Sequence, residues 1–402
     1  MLTSNDATRA IAESITSLGV EEVALAVAPG RILREIVYAE RDQPPFDRVM
    51  MDGIAVNFAT LDAGQRRFRI VATQHAGDAE SALTDLAECF EVMTGAVLPR
   101  GSDCIIPVER LNVASGYAEV ESDYATQQFR FIHQQASDYQ EGTKVLGPGI
   151  QISPLDIAVI ASCGLAQVGV SQLPVVRVIS TGNELIEAGK PIESHQIRLS
   201  NGPALVALLQ QQGFKDCIHD HLADDLHLLT RRIGEHLSEA DVLILSGGVS
   251  MGKADYVPQV LADLGVRKVF HKISQRPGKP MWFGLGAAGQ AVFALPGNPV
   301  SSLVCARHYV LPALLNASAR APRVAEVAKL ARSIEFAPAL TNFVPVKVQT
   351  DDAGVHVAVP VSTNTSGDFR ALSGTDGYVE LERDTSEFKA GTIVPLHRWD
   401  KP

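Results

Sequence analysis

Three apolar runs in this chain stop abruptly at loops of small residues, and those loops carry side chains that can bind anions. Val242, Leu243, Ile244 and Leu245 run into Ser246-Gly247-Gly248-Val249-Ser250-Met251-Gly252-Lys253-Ala254-Asp255. A hydroxyl, bare backbone and a carboxylate in one loop suit a phosphate with its Mg2+. Glycine lets the backbone approach a ligand, and amides there can hold anionic oxygens. A lone Gly-Gly after a strand reads equally as a tight turn, but Ser250, Gly252 and Asp255 in the same stretch favour the ligand. Residues 291–295 run into Pro296-Gly297-Asn298-Pro299, a loop stiffened by two prolines and placed just before a helical pattern. A helix N-terminus is a ready anion site. Residues 175–179 run into Ser180-Thr181-Gly182-Asn183-Glu184.

A fourth segment, Arg276-Pro277-Gly278-Lys279-Pro280 with Lys272 just upstream, sets three cations around a kinked loop in a chain of net charge −11. Such a cluster would neutralise an oxyanion such as phosphate; its plain alternative is solvated surface charge. Asp52, Asp138, Glu184, Asp224 and Asp255 could together bind Mg2+ if the fold brings them to one cleft. Taken singly, each reads as a cap, a turn or a surface charge, and Asp52, just before Gly53, reads first as a turn residue. His219 and His221 alternate, which is not the spacing of a zinc helix.

Loops of this kind need a scaffold that collects them, and a parallel α/β sheet does so at its carboxyl edge. From residue 174 to about 315 strand and helix patterns alternate, with helices expected over 199–212, 222–237 and 300–315. This describes a doubly wound α/β unit of ordinary domain size. Upstream, 4–18 reads as an amphipathic helix with Ser4 as N-cap, 20–27 as a strand, and 30–41 as a helix ending before Gln43-Pro44-Pro45. Residues 46–138 change to short alternating segments, with strands at 68–72 and 104–108, and predict a separate, mostly β region. Within 142–169 a strand is followed by a helix opened by Pro154 and closed by Cys163-Gly164. After Pro322 the alternation at 343–348, 355–361 and 377–381 predicts a small β-barrel or sandwich.

Composition bounds the function. At 402 residues the chain suits two to four domains. Mean hydropathy of +0.08 fits strands buried on both faces. No apolar run approaches the ~20 residues that span a bilayer, and residues 1–10 lack a basic segment followed by an apolar one, so a cytoplasmic protein is expected. The acidic balance without a Lys/Arg run argues against nucleic acid. The five cysteines form no CxxC and read as buried thiols.

Taken in order, the motifs form a family pattern. They are Pro45 through Gly53, Met93-Thr94-Gly95-Ala96, Ser180 through Leu185, Gln196 through Asn201, the Gly247 loop through Tyr256, Arg276 through Pro280, and Leu295 through Pro299. In these the chain resembles the molybdopterin molybdenumtransferases, bacterial relatives of the gephyrin E domain, over essentially its whole length. The resemblance implies the last step of molybdenum cofactor assembly. Adenylated molybdopterin and molybdate bind, AMP is released with Mg2+, and molybdenum enters the dithiolene.

It further implies a homodimer of four-domain subunits. A linking domain would take 27–45 with 139–173, and a mostly β inserted domain 46–138. An α/β molybdopterin-binding domain would take 1–26 with 174–318, and a β-barrel 319–402. A molybdopterin adenylyltransferase and acceptor molybdoenzymes are the implied partners. Asp255, Glu184, Asp224, Lys279 and Asp52 match the family's catalytic positions, with Asp255 and Glu184 as Mg2+ candidates. Thr181, Gly182, Asn201, Gly247, Gly248, Ser250 and Pro296, Gly297, Asn298, Pro299 would hold the pterin phosphate side. Lys272 and Arg276 would hold molybdate or diphosphate, Thr94 and Asp138 would act from the opposing domain, and Ser366 from the C-terminal one.

The chain departs from the commonest pattern at Val49, Ile54, His133, Asn183, Leu199 and Thr341-Asn342-Phe343. Asn183 removes a candidate metal ligand beside Glu184. Two other readings compete: an α/β enzyme that adenylates molybdopterin, and a non-catalytic gephyrin-like scaffold. The extra β regions and the 272–280 segment argue against the first; retained Asp255, Lys279 and Glu184 argue against the second.

Overall fold

Six strands build the layer that matters for the loops: β1 (Val176–Thr181), β2 (Cys217–Leu222), β3 (Val242–Ser246), β4 (Arg267–His271), β5 (Trp282–Leu285) and β6 (Ala291–Leu295). Their order is β2-β1-β3-β6-β5-β4 in a computed structural model that describes residues 1–248, 256–363, 365 and 367–400. β2, β1, β3 and β6 run parallel; at one edge β5 pairs antiparallel with β6, and β4 pairs antiparallel with β5.

Alternate residues of each strand enter opposite cores. Val176, Val178, Val242, Ile244 and Phe293 pack on one face with Ala7 and Ile11 of α1 (Ser4–Ser14) and with Leu205 and Leu209 of α2 (Asn201–Gln211). Ile179, Leu243, Leu245, Val292 and Ala294 pack on the other with Leu229 and Ile233 of α3 (Leu226–Glu239) and with Val257 and Val260 of α4 (Val257–Asp263). Helices on both faces make the sheet doubly wound, and explain why its strands read as continuous apolar runs. After β6 the chain enters α5 (Pro299–Cys305), a π-helical turn (Ala306–Val310) and α6 (Leu311–Ala317).

The C-terminal strands Glu326–Leu330, Thr341–Thr350, His356–Pro360, Gly377–Leu381 and Ile393–Arg398 close into a barrel. Closure follows because Thr341–Thr350 pairs with both His356–Pro360 and Gly377–Leu381. Leu330, Val346, Ala358, Val379 and Leu381 fill its interior. The barrel and the α/β layer share one compact unit, Met1–Arg34 with Pro148–Ile152 and Val168–Pro402. A second unit, Glu35–Gly147 with Ser153–Gln167, is built on a six-stranded sheet. There, Ile54, Phe68 and Ile106 pack on one face and Ala55, Phe90 and Ile105 on the other.

Two local expectations are corrected. Thr3, not Ser4, caps α1: its hydroxyl accepts from the Asp6 amide at 3.1 Å, while Ser4 is buried. Residues 30–41 are not helical. Ile32 and Leu33 bridge to Gln151 and Val170, and Val37–Tyr38 pairs with Lys144–Leu146. The apolar spacing was helix-like, but the hydrogen-bond partners lie more than a hundred residues away, beyond any local pattern. Among the described residues no helix is long and apolar enough to cross a membrane, and all five cysteines are free and buried.

Candidate functional site

The parallel strands end in register. Ser180 of β1 pairs with Ser246 of β3, and Ser246 pairs with Leu295 of β6, so the three small-residue loops emerge side by side. They form one wall of a cleft of about 1550 Å3. Gly247 and Gly248 have φ of +102° and +64°, and added side chains there would meet Thr181 O at 2.6 Å and Thr181 Oγ1 at 2.9 Å. A Cβ at Gly297 would lie 3.6 Å from Gly247 Cα. Gly247 and Gly248 are bare because Thr181 and Val257 leave no room for side chains, whereas a side chain at Gly297 would make only ordinary contact. Thr181 Oγ1 is buried beneath these backbones, with no hydrogen-bond partner among the described residues.

Polar side chains brace this edge from behind. Asn201, at the start of α2, donates from Nδ2 to Ser246 Oγ at 2.9 Å and to Gly297 O at 2.7 Å, tying two loops together. Both amide protons are spent there, which leaves its acceptor for a ligand. His221 Nε2 donates to Gly182 O at 2.9 Å, and His219 Nε2 lies 3.0 Å from Ser180 Oγ. Burial, then the neighbouring His221, holds the His219 pKa below its ordinary value. Asn183 Oδ1 accepts from the Asp224 amide at 3.0 Å. The residue that removes a candidate ligand therefore fixes the loop that carries another carboxylate.

Glu184, Asp224, Arg276 and Lys279 all line the cleft, as do Thr181, Gly182, Asn201, Gly247, Gly248 and Pro296 through Pro299. Glu184 curls back over Gly182, where a Cβ would stand 2.8 Å from both carboxylate oxygens. Glu184 and Asp224 offer hard oxygen donors that fit Mg2+, an ion that usually keeps several waters and takes few protein ligands. Ser250, Asp255 and Ser366 lie outside the described residues. Lys272 is not part of the cleft lining; it sits at φ +75° with its amide bonded to Met281 O, where it shapes the loop.

Asp52, Thr94 and Asp138 belong to the second unit. Asp52 Oδ1 accepts from Thr94 N at 2.6 Å and from Thr94 Oγ1 at 2.7 Å, and these bonds hold its carboxyl below the usual range. His133 stands between Arg48 and Asp138, 3.0 Å from each. Val49 and Ile54, two departures from the family pattern, are core residues of that unit.

The opposite wall of the cleft comes from the barrel, where sequence reading saw least. Arg332, Glu335 and Phe336 line it, and the Arg276 guanidinium lies 5.9 Å from the Phe336 ring centroid. The only signal for these residues was their closeness to the expected barrel strands. Among the described residues one group has metal-type donors within reach of each other, His308, Glu380 and His397, and it lies outside the cleft lining.

A doubly wound sheet with a bare, cation-flanked carboxyl edge facing a barrel defines a multidomain α/β protein with a cleft at the strand ends. Family models match the MoeA N-terminal region (domain I and II) over residues 2–164, a probable molybdopterin binding domain over 177–316, and the MoeA C-terminal region (domain IV) over 327–399. A molybdopterin molybdenumtransferase from Synechocystis sp. is 39% identical over 371 residues, covering 92% of this chain and 93% of that protein. One from Staphylococcus aureus is 30% identical over 397 residues, covering 97% and 94%. Two crystal structures of a molybdopterin biosynthesis MoeA protein from Pyrococcus horikoshii align with TM-scores of 0.83 and 0.81 at 28% and 25% identity. They cover 99% and 98% of this chain and 99% of theirs. The chain belongs to the molybdopterin molybdenumtransferase family.

Proposed function

We propose that the protein inserts molybdenum from molybdate into adenylated molybdopterin and releases AMP, the last step of molybdenum cofactor assembly. The observation that carries this reading is the cleft at the carboxyl edge. It sets Arg276 and Lys279 against bare Gly247-Gly248 and Gly297 backbone, with Glu184 and Asp224 beside them. Cleaving a phosphoanhydride leaves negative charge on the departing phosphate oxygen. Fixed cations at that oxygen stabilise the transition state more than the ground state. Glu184, with Asp255, would hold Mg2+, which supplies further charge neutralisation to the diphosphate. Asn201 and the glycine loop orient the pterin phosphate side, and Arg276 and Lys279 bind the diphosphate or molybdate.

In this reading the protein acts as a cytoplasmic homodimer, and Asp52, Thr94 and Asp138 would reach the cleft of the other subunit. Its substrate comes from a molybdopterin-adenylating enzyme and its product passes to molybdoenzymes. The test is AMP release from adenylated molybdopterin by the purified protein with Mg2+, with and without molybdate. Molybdate-dependent release is expected. Tight pterin binding without release would sink the reading.

A further inference from the structure

A buried chain of hydrogen bonds ends on the cation loop. Tyr309 Oη donates to Gln275 Oε1, and Gln275 Nε2 donates to Pro277 O at 3.0 Å and to Cys305 Sγ at 3.5 Å. Ser4 Oγ lies 2.9 Å from Tyr309 Oη, and His308 Nε2 lies 3.3 Å from Ser4 Oγ. Ser4, Gln275 and Tyr309 are each at most 2% exposed. Water cannot replace a missing partner there, so every proton must be placed.

Counting donors fixes the direction of the chain. Tyr309 has one proton, and it goes to Gln275. Ser4 must therefore donate to Tyr309, which leaves it only lone pairs for His308. His308 then carries its proton on Nε2, and Nδ1 accepts from Tyr378 Oη at 3.1 Å. Burial keeps both tyrosines protonated by raising them, and holds His308 neutral by pushing it down to about 3. This order sets the Gln275 amide with its oxygen toward Tyr309 and its nitrogen toward Pro277. The flipped amide would set two acceptors, Oε1 and Pro277 O, against each other. Gly278 makes room for the arrangement, because a Cβ there would stand 2.7 Å from Gln275 Nε2.

We propose that Gln275 is a positioning residue of the anion site. Its amide fixes the Pro277 carbonyl between Arg276 and Lys279, and the Tyr309–Ser4–His308 chain holds that amide in one orientation. The inference rests on the proposed reading of Arg276 and Lys279 as anion ligands. A carboxamide offers an acceptor and a donor on one rigid plane without ionising, as this place requires.

The test titrates pyrophosphate into full-length wild type, Lys279→Ala, Gln275→Glu and Tyr309→Phe, each checked for folding by circular dichroism. Gln275→Glu keeps size and acceptor but loses the donor to Pro277. It should weaken pyrophosphate about tenfold, approaching Lys279→Ala, and Tyr309→Phe should weaken it less. Lowering the pH should restore the affinity of Gln275→Glu relative to wild type, because the protonated carboxyl sheds its charge and again donates to Pro277 O. Gln275→Met, which has no charge to shed and no donor, should stay weak at every pH, and wild-type affinity in Gln275→Met would overturn the positioning role. If Lys279→Ala weakens binding while Gln275→Glu and Tyr309→Phe bind as wild type, the positioning role is overturned. If Lys279→Ala also binds as wild type, the anion-site reading falls, and the proposal with it.

Discussion

The two walls of the cleft are built differently. The α/β wall is made of strand ends in register, with bare backbone in front and buried polar braces behind: Asn201 on two loops, His221 on Gly182, Gln275 on Pro277. The barrel wall presents Arg332, Glu335 and Phe336; Arg332 and Glu335 are exposed, as Arg276 and Lys279 are, but their side-chain support is a single bond from Arg332 to Pro360 O at 2.8 Å among the described residues. The contrast suggests a division of labour. A braced wall places charge without reorganising during the reaction, whereas a loosely held wall can adapt to the part of a ligand that differs between bound states.

Substitutions should separate the walls. The largest effect is expected at Lys279→Ala, about 100-fold in molybdate-dependent AMP release with little change in stability. A loss under threefold would remove this wall from the chemistry. Acid should next loosen the seam that joins the walls. His308, from the π-helical turn after α5, packs against Phe343, Tyr378 and His397 of the barrel. Burial first, then His397, pushes it down to about 3, below the unfolded value of 6.5, so the unfolded chain takes up the proton first. Stability is therefore full above about pH 6.5 and falls toward pH 3, by roughly 2 kcal/mol at pH 5 from this group. Burial would raise the Glu380 pKa, but the His397 bond and the nearby histidines hold it below 4.5, which adds loss of the same sign at lower pH. Thermal unfolding between pH 7 and pH 4 checks this, and a flat profile would refute it.

Asn201→Ala should cost about 1–2 kcal/mol, since Ser246 and Gly297 both lose a partner. Its KM should rise more than its kcat falls; an equal fall in kcat and kcat/KM, with KM unchanged, would show that Asn201 acts in the transition state. Arg332→Ala should be mildest, under about 1 kcal/mol in ligand binding, because its guanidinium is already engaged by Pro360 O and it lies across the cleft from the glycine loops. If it matched Lys279→Ala, the contrast between the walls would be wrong.

The braced wall was also the legible one. Val242 through Gly248 and Ala291 through Pro299 announce a buried parallel strand and its ligand-facing turn within about ten residues, because chain direction, burial and loop chemistry are all local there. The barrel showed its alternation, but nothing local says that Thr341–Thr350 pairs on both sides or that Arg332 turns toward a cleft. Residues 30–41 misled for the same reason, since Gln151 and Val170 decide their backbone. Asn201 was read as a ligand contact from its motif, and only the fold shows its protons spent on Ser246 and Gly297. Gln275 carried no signal, because its partner Tyr309, and the Ser4 that orders Tyr309, are both remote from it in the chain.

The most direct measurement is the position of tungstate, located by its anomalous scattering in crystals of the protein soaked at low salt. The anion is expected in the cleft against Lys279 and Arg276, with the glycine loops opposite. Occupied tungstate elsewhere, with the cleft empty, would contradict the assignment of the α/β edge as the anion site.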